Sequence, residues 1–168
     1  LAIAAGAQQM GADCVLIERD RMGGDCLNYG CVPSKALLAA GRSAQLNELA
    51  RKYGVHYEAP RVDFQGVHDH VHGVIAGIAP HDSVERFEGL GVTVLNEHAR
   101  FTDARTVEAG EARVRARRFV IATGSGPMVP PIPGLEQVPY LTNETVFELT
   151  ERPGHLIVVG GGPIGSEM

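Results

Sequence analysis

Cys26 and Cys31 are the residues best suited to chemistry in this 168-residue sequence. Only a short segment separates them, so a disulfide between them would close a very small loop and stabilise a fold weakly. Pro33 and the Ala/Leu run at 36–40 predict a helix that begins around Cys31 or Val32. Cys31 then lies where unpaired backbone N–H groups and the helix dipole stabilise a thiolate. The pair therefore favours redox exchange over a structural disulfide.

Lys35 adds a second reason to expect a reactive thiol. It follows Cys31 by one helical turn, so the two side chains share a face and the ammonium lies near the sulfur or near its reaction partner. A structural disulfide is one alternative for the two cysteines. Half of a zinc site is another, although the sequence offers no second close cysteine pair to complete the usual ligand set.

The segment 23–35 resembles the active-site stretch of the pyridine-nucleotide-disulfide oxidoreductases, flavoenzymes that include dihydrolipoamide dehydrogenase, mercuric reductase and glutathione reductase. Its sequence GGDCLNYGCVPSK matches every fixed position of the family pattern G-G-x-C-x-N-x-G-C-x-P-x-K. The resemblance implies that Cys26 meets the substrate and that Cys31 lies against the flavin ring. It also implies that Lys35 sits near the reactive nitrogen of the flavin and pairs with Glu167. A solvated glutamate favoured by a helix dipole is the alternative for Glu167.

The start of the sequence predicts part of a dinucleotide-binding fold. Residues 1–10 have a helical composition and lead through Gly11 into an apolar strand at 14–17. In that fold a strand and a G-x-G-x-x-G loop precede such a helix, and a carboxylate near the end of the second strand holds the adenosine ribose. Glu18 fits the last role. We expect the first strand and glycine loop, which cradle the FAD pyrophosphate, to lie upstream of Leu1.

The end of the sequence carries a second dinucleotide fingerprint. An apolar strand predicted at 155–159 runs directly into Gly160-x-Gly162-x-x-Gly165, which is the context that the motif requires. In the family this loop binds the pyrophosphate of NADH or NADPH. A tight strand-to-helix turn without a ligand is the alternative.

The middle of the sequence predicts scaffold and one more cofactor contact. The helix of the redox cysteines continues to about Tyr53, and a second helix runs from about Asp63, with a possible break at Pro80 and an end near residues 89–91. Short strands at 92–95, 99–101, 106–108 and 112–116 fit a small antiparallel meander. A strand at 118–125 ends in Ala-Thr-Gly-Ser and resembles the stretch beside FAD in the family, and a short capped helix is predicted at 142–149.

The predicted fold class is therefore α/β. A Rossmann-like FAD-binding domain, lacking its first strand and glycine loop and carrying the meander, occupies residues 1–126. A proline-rich linker and connecting segment follow at 127–152, because four prolines in the segment 126–134 exclude a helix or a central strand. The start of a second Rossmann-like domain, for NAD(P), occupies residues 153–168. The cofactor-binding residues implied by the resemblance are Glu18, Gly23, Gly24, Asp25, Cys31, Lys35, Ala99, Ala122, Thr123, Gly124, Ser125, Gly160, Gly162, Ile164 and Gly165.

A metal site is considered at His68 and His72, which would share a helix face, with His81 nearby. No cysteine or carboxylate cluster at ligand spacing supports it, so a solvated helix face is preferred and no metal site is predicted. A net charge of −5 and a pI near 5.8 give no electrostatic case for nucleic acid or an anionic membrane. No apolar run reaches membrane-spanning length. A reactive cysteine pair beside the unpaired Cys14 suits the cytoplasm.

Taken together, these features predict an FAD-dependent NAD(P)H:disulfide or metal-ion oxidoreductase. The resemblance implies that NAD(P)H reduces FAD, that the flavin reduces the Cys26–Cys31 disulfide through Cys31, and that Cys26 passes the electrons to a small-molecule disulfide, dithiol or metal ion. It also implies a homodimer, formed by a C-terminal domain outside this sequence. Ser34 and Pro163 differ from glutathione reductases and favour the mercuric reductase or dihydrolipoamide dehydrogenase side, with a slight lean to the former. The alternative is a non-catalytic flavin- or nucleotide-binding thiol sensor.

Asp25 is a further departure from the family pattern. It replaces the threonine that is common before the first active-site cysteine, at a position close to the FAD phosphates. A carboxylate there would be repelled by the phosphates unless it is turned away or bridged.

Overall fold

The structure contains a short parallel strand pair, two long helices, four shorter helices and a small antiparallel sheet. The computed structural model describes residues 1–168. The helices are α1 (Ala2–Gln9), α2 (Gly24–Asn28), α3 (Cys31–Arg51), α4 (Phe64–Ile78), α5 (Val84–Gly89) and α6 (Pro163–Glu167). The strands are β1 (Val15–Ile17), β2 (Thr93–Leu95), β3 (Ala99–Asp103), β4 (Thr106–Ala109) and β5 (Ala112–Arg115). Single 3₁₀ turns lie at Ala79–Asp82, Leu135–Gln137 and Val146–Glu148.

The first of two units comprises residues 1–24 and 78–125. Strands β1 and β2 pair in parallel, with Leu16 opposite Val94. Ala4 of α1, Phe87 of α5 and Val92 form the buried core against this pair. The helix α5 begins at a capped N-terminus, because the backbone N–H of Arg86 donates to the Ser83 hydroxyl at 3.2 Å. This packing fixes the carboxyl end of β1, which is the position of a ribose-binding carboxylate in a dinucleotide fold.

The meander lies in the same unit and is made of β3, β4 and β5 in antiparallel order. The central strand β4 is the most buried of the three, with Val107 and Ala109 almost inaccessible to solvent. Of the four strands predicted for the meander, the first is β2, which pairs with β1 instead. The meander therefore has three strands, β3, β4 and β5, and β2 belongs to the parallel pair instead.

The second unit comprises residues 25–77 and 126–168. As predicted, α3 begins at Cys31 and continues as one long helix, and α4 begins next to Asp63. Ala36 of α3, Val71 of α4 and Phe147 form the buried core of this unit. The short helix α2, which carries Cys26, was not predicted from the sequence.

Three predictions about secondary structure were wrong. The segments 118–125 and 155–159 form no strand, and their apolar side chains are exposed, for example Ile121 at 74% and Ile157 at 77%. A strand needs a neighbour for its backbone hydrogen bonds, and none of the five strands pairs with either segment. The helix predicted at 142–149 is a single 3₁₀ turn at Val146–Glu148, because the Thr142 and Thr145 side chains hydrogen-bond the local backbone instead.

The domain boundaries at 126 and 152 stay predictions, since the two units are groups of mutually contacting residues and need not coincide with domains. None of the helices combines the length and the apolar character that crossing a membrane requires.

Candidate functional site

The two cysteines lie on consecutive helices of the second unit. Cys26 is inside α2, Cys31 is the first residue of α3, and both are exposed. Gly30 joins the helices, and a β-carbon there would lie 2.9 Å from the backbone oxygen of Asp25, closer than carbon and oxygen normally approach. A glycine at position 30 therefore lets the end of α2 pack tightly against the start of α3. This turn holds both thiols at the N-terminal end of the long helix.

Lys35 and Glu167 meet in the same unit. The Lys35 ammonium lies 2.5 Å from Oε1 of Glu167, which belongs to α6. The hydroxyl of Ser34 donates to the same carboxylate oxygen at 2.7 Å. Ser34 is 6% exposed and also approaches the backbone oxygen of Cys31 at 3.3 Å. Two neighbouring residues of α3 therefore hold one carboxylate from the far end of the sequence, one turn away from Cys31.

These contacts keep both members of the ion pair charged. The hydrogen bond to Glu167 raises the pKa of Lys35 above 10.5, and the charges of Glu167, Cys31 and Cys26 add to the increase. Hydrogen bonds from Lys35 and then Ser34 lower the pKa of Glu167 below 4.5. An ammonium group in electrostatic reach of both sulfurs is thus present across the neutral pH range. Such a charge can stabilise negative charge that develops on either sulfur.

The second glycine loop leads into α6. Gly160 has a φ of +112°, and a β-carbon at Gly165 would lie 2.3 Å from the backbone oxygen of Gly160. Gly161 and Gly162 face open space, and the backbone N–H of Ser166 donates to the Gly162 oxygen at 2.9 Å. The loop folds back on itself only because position 165 has no side chain. Ile164, also predicted to bind the cofactor, is 60% exposed beside the loop.

The predicted FAD contacts of the first unit lie at strand ends and turns. The carboxylate of Glu18 follows β1 and accepts the backbone N–H of Asp20 at 2.9 Å. Ala99 is the exposed first residue of β3. Gly23, Gly24 and Gly124 have positive φ values, as expected where backbone turns sharply. Ala122, Thr123 and Ser125 are exposed in the segment that forms no strand, and Asp25 is exposed at the start of the second unit.

The cofactor roles of these residues stay predictions. The pair that the structure brings into direct contact is Lys35 with Glu167.

Two residues that contact Glu167 or His72 have no role assigned from the sequence. Ser34 stands out there only by its difference from glutathione reductases, yet its hydroxyl holds Glu167. Glu148 is not singled out by any motif, yet its carboxylate lies 3.8 Å from Nε2 of His72. Both contacts join residues that are far apart in sequence, so no local pattern could reveal them.

Comparison of the sequence with known proteins finds a matching family and several relatives. A family model described as pyridine nucleotide-disulphide oxidoreductase matches residues 1–168. The mercuric reductase of Lysinibacillus sphaericus is 37% identical, over 96% of this chain and 30% of that protein. The dihydrolipoyl dehydrogenase of Haloferax volcanii is 36% identical, over 96% of this chain and 35% of that protein.

Comparison with solved structures also finds a flavoprotein disulfide reductase. The HOCl-induced flavoprotein disulfide reductase RclA from Escherichia coli superposes with a TM-score of 0.78 and 26% identity, over 99% of this chain and 35% of that chain. The chain thus spans about a third of the length of the relatives that it matches.

Proposed function

Because the chain belongs to the pyridine nucleotide-disulphide oxidoreductase family, we propose that it is part of a flavoenzyme that uses NAD(P)H to reduce the Cys26–Cys31 disulfide and then a substrate. Members of this family bind FAD and use NAD(P)H. The observation that carries the proposal is the contact between Lys35 and Glu167, one turn of α3 from Cys31. It supports the alignment with the family at these two positions, because the pairing of Lys35 with Glu167 was expected from the resemblance alone.

Some of the residues present suit the two cofactors, although segment 155–159 does not form the strand that normally precedes the second glycine loop. The tight turn between Gly160 and Gly165 leaves the backbone at Gly161 and Gly162 open to a pyrophosphate, as a dinucleotide loop requires. On the flavin side, the Glu18 carboxylate at the end of β1 suits a ribose hydroxyl. The flavin, when bound, supplies the two-electron link between NAD(P)H and the cysteine pair.

The remaining assigned contacts to FAD are proposed to be made by the turns at 23–25 and 122–125 and by Ala99. Gly160, Gly162, Ile164 and Gly165 are proposed to contact NAD(P)H.

The cysteines and their charged neighbours would perform the exchange with substrate. The exposed Cys26 thiolate attacks one sulfur of a substrate disulfide, whose S–S bond breaks as one thiolate leaves. The Cys31 thiolate then attacks Cys26, so the Cys26–Cys31 bond forms and the second substrate thiolate leaves. Two electrons have then passed from the cysteine pair to the substrate. The Lys35 ammonium, oriented by Glu167, stabilises the negative charge that the sulfurs carry during both attacks.

The relatives suggest the substrate classes to test. Mercuric reductases and dihydrolipoyl dehydrogenases both match nearly all of this chain. We therefore propose a small-molecule disulfide or dithiol, or a thiophilic metal ion, which soft thiolate ligands bind well. We further propose a cytoplasmic homodimer and domain boundaries at 126 and 152.

The Cys26→Ser variant of the intact protein tests the proposal. It should retain its flavin and lose NAD(P)H-dependent turnover of both mercuric ion and lipoamide, because the attacking sulfur is gone. Cys14→Ser is the matched control, since Cys14 is a partly buried cysteine that packs against the core of the first unit. A Cys26→Ser protein that turns over as fast as the Cys14→Ser control would favour a flavin-binding thiol sensor instead.

A further inference from the structure

His68, His72 and Glu148 form a second group of ligand-type side chains, which the proposed redox function does not use. The two histidines lie one turn apart on α4, with ring centroids 4.3 Å apart. Glu148 belongs to the 3₁₀ turn at Val146–Glu148, and its Oε2 lies 3.8 Å from Nε2 of His72. One ligand atom from each of the three residues lies within 4.8 Å of the others. The group therefore combines two imidazoles and a carboxylate, which is a ligand set that zinc uses.

The ring of His68 is oriented by a second carboxylate. Nδ1 of His68 lies 3.0 Å from Oδ1 of Asp69, and the side-chain amide of Gln65 donates to the same oxygen at 2.8 Å. An Nδ1–H donated to Asp69 leaves the lone pair on Nε2 of His68. Histidines that bind metals usually donate their other ring nitrogen to a carboxylate in this way. Asp69 therefore favours the tautomer of His68 that can bind a metal through Nε2.

Helix α4 and the 3₁₀ turn at Val146–Glu148, which carry the three side chains, are both packed into the core of the second unit. Val71 of α4 is 2% exposed and Phe147 of the turn is 7% exposed, and both belong to the core of the second unit. Nε2 of His72 also lies 3.2 Å from the backbone oxygen of Phe147, and an ion bound at Nε2 would replace the proton of that hydrogen bond. The packing of Val71 with Phe147 still holds the helix and the turn together beside the three ligands. Glu148 itself is 61% exposed on its side chain, so it can move without disturbing the core.

We propose that His68, His72 and Glu148 bind one divalent ion of the zinc type, with water in the fourth position. Ligand atoms about 2.1 Å from a tetrahedral zinc lie about 3.4 Å from one another. Closing the observed group to that spacing requires movements of about 1 Å, which the exposed Glu148 side chain can provide. A bound ion would tie the turn at 146–148 to α4. This inference goes beyond the proposed redox function and does not depend on it.

The experiment is a zinc titration of the intact protein by isothermal calorimetry. Cys26 and Cys31 are both changed to Ser in every sample, because their thiols would otherwise compete for the metal. We expect one equivalent of Zn²⁺ to bind, and Co²⁺ in its place to give a visible ligand-field spectrum that reports nitrogen and oxygen ligands. In this background His68→Gln and His72→Gln should each weaken binding at least tenfold. Asp69→Asn should weaken it about 10- to 100-fold through the orientation of His68.

His70→Gln is the matched control, because His70 lies on the same helix and outside the ligand group. Glu148→Gln provides a second test if a histidine variant misfolds, since the exposed Glu148 side chain can be changed without affecting the core. This variant should also bind Zn²⁺ more weakly than the control. Failure to bind an equivalent of Zn²⁺ would overturn the proposal. Equal affinities for the His70→Gln control and for folded His68→Gln, His72→Gln or Glu148→Gln protein would also overturn it.

Discussion

Replacing Gly165 by alanine should weaken the binding of NAD(P)H by crowding the second glycine loop. The added β-carbon would lie 2.3 Å from the backbone oxygen of Gly160 and 3.2 Å from its carbonyl carbon. Carbon and oxygen atoms in proteins rarely approach closer than about 3.3 Å. The backbone of the loop must therefore shift by about 1 Å, and it cannot relax by moving a flexible side chain because the obstructing atoms belong to the main chain.

The size of the effect follows from the cost of such crowding. Overpacking a tight site costs about 1–3 kcal/mol. If the shifted loop must return to its original shape to bind the pyrophosphate, this cost appears in the affinity. Each 1.4 kcal/mol is a factor of ten, so the dissociation constant should rise about 5- to 150-fold. The flavin content should not change, because the loop is proposed to contact only the nicotinamide cofactor.

The assay is calorimetric binding of NADP⁺ and NAD⁺ to the intact protein, with flavin content measured on the same samples. Gly154→Ala is the matched control, since position 154 lies outside the loop, a β-carbon there would meet no heavy atom within 4 Å and the φ of Gly154 is not positive. The control should bind as the parent does. Unchanged affinity in Gly165→Ala, or an equal loss in Gly154→Ala, would refute the assignment of this loop to the cofactor.

Other changes test the ion pair, the turn between the cysteines and the core. Folding lowers the pKa of Glu167, so its ion pair stabilises the protein above pH 4.5 and loses this contribution as the pH falls through the lowered pKa. The raised pKa of Lys35 makes its contribution complete below pH 10.5 and lost at still higher pH. Carboxyl NMR should show Glu167 titrating below 4.5, with Lys35→Met moving it upward, and an unmoved midpoint would contradict the pairing. Gly30→Ala, whose β-carbon meets the Asp25 oxygen, should lower the free energy of unfolding by about 1–3 kcal/mol in urea. Phe87→Ala should lower it by about 3–5 kcal/mol, and a loss below that of Gly30→Ala would contradict the burial of this core residue.

Local patterns were enough to predict the elements that depend on local physics. The start of α3 at Cys31 follows from Pro33 in the first turn and from the alanine and leucine residues after it. The break after α4 coincides with Pro80, which lies in the 3₁₀ turn at Ala79–Asp82. The three strands of the meander were predicted because alternation and turn residues mark them within a few positions.

The failures concern features that depend on partners. Apolar runs at 118–125 and 155–159 have strand-like compositions, but a strand forms only where another strand supplies hydrogen bonds. The contact between Lys35 and Glu167 could be anticipated only through the family resemblance, since composition and spacing say nothing about residues at opposite ends of a sequence. Neither the family resemblance nor the local sequence pattern indicated that Ser34 would hydrogen-bond Glu167 or that Glu148 would lie beside His72.

The most direct test of the central claim is an anaerobic titration of the intact protein with NADH and then NADPH, followed by flavin absorption. The claim is that Cys31 lies in redox contact with the flavin and that a nicotinamide cofactor supplies the electrons. It predicts a long-wavelength thiolate-to-flavin band that is absent from the Cys31→Ser variant. Flavin that bleaches without this band, or a protein that binds no flavin, would contradict the account.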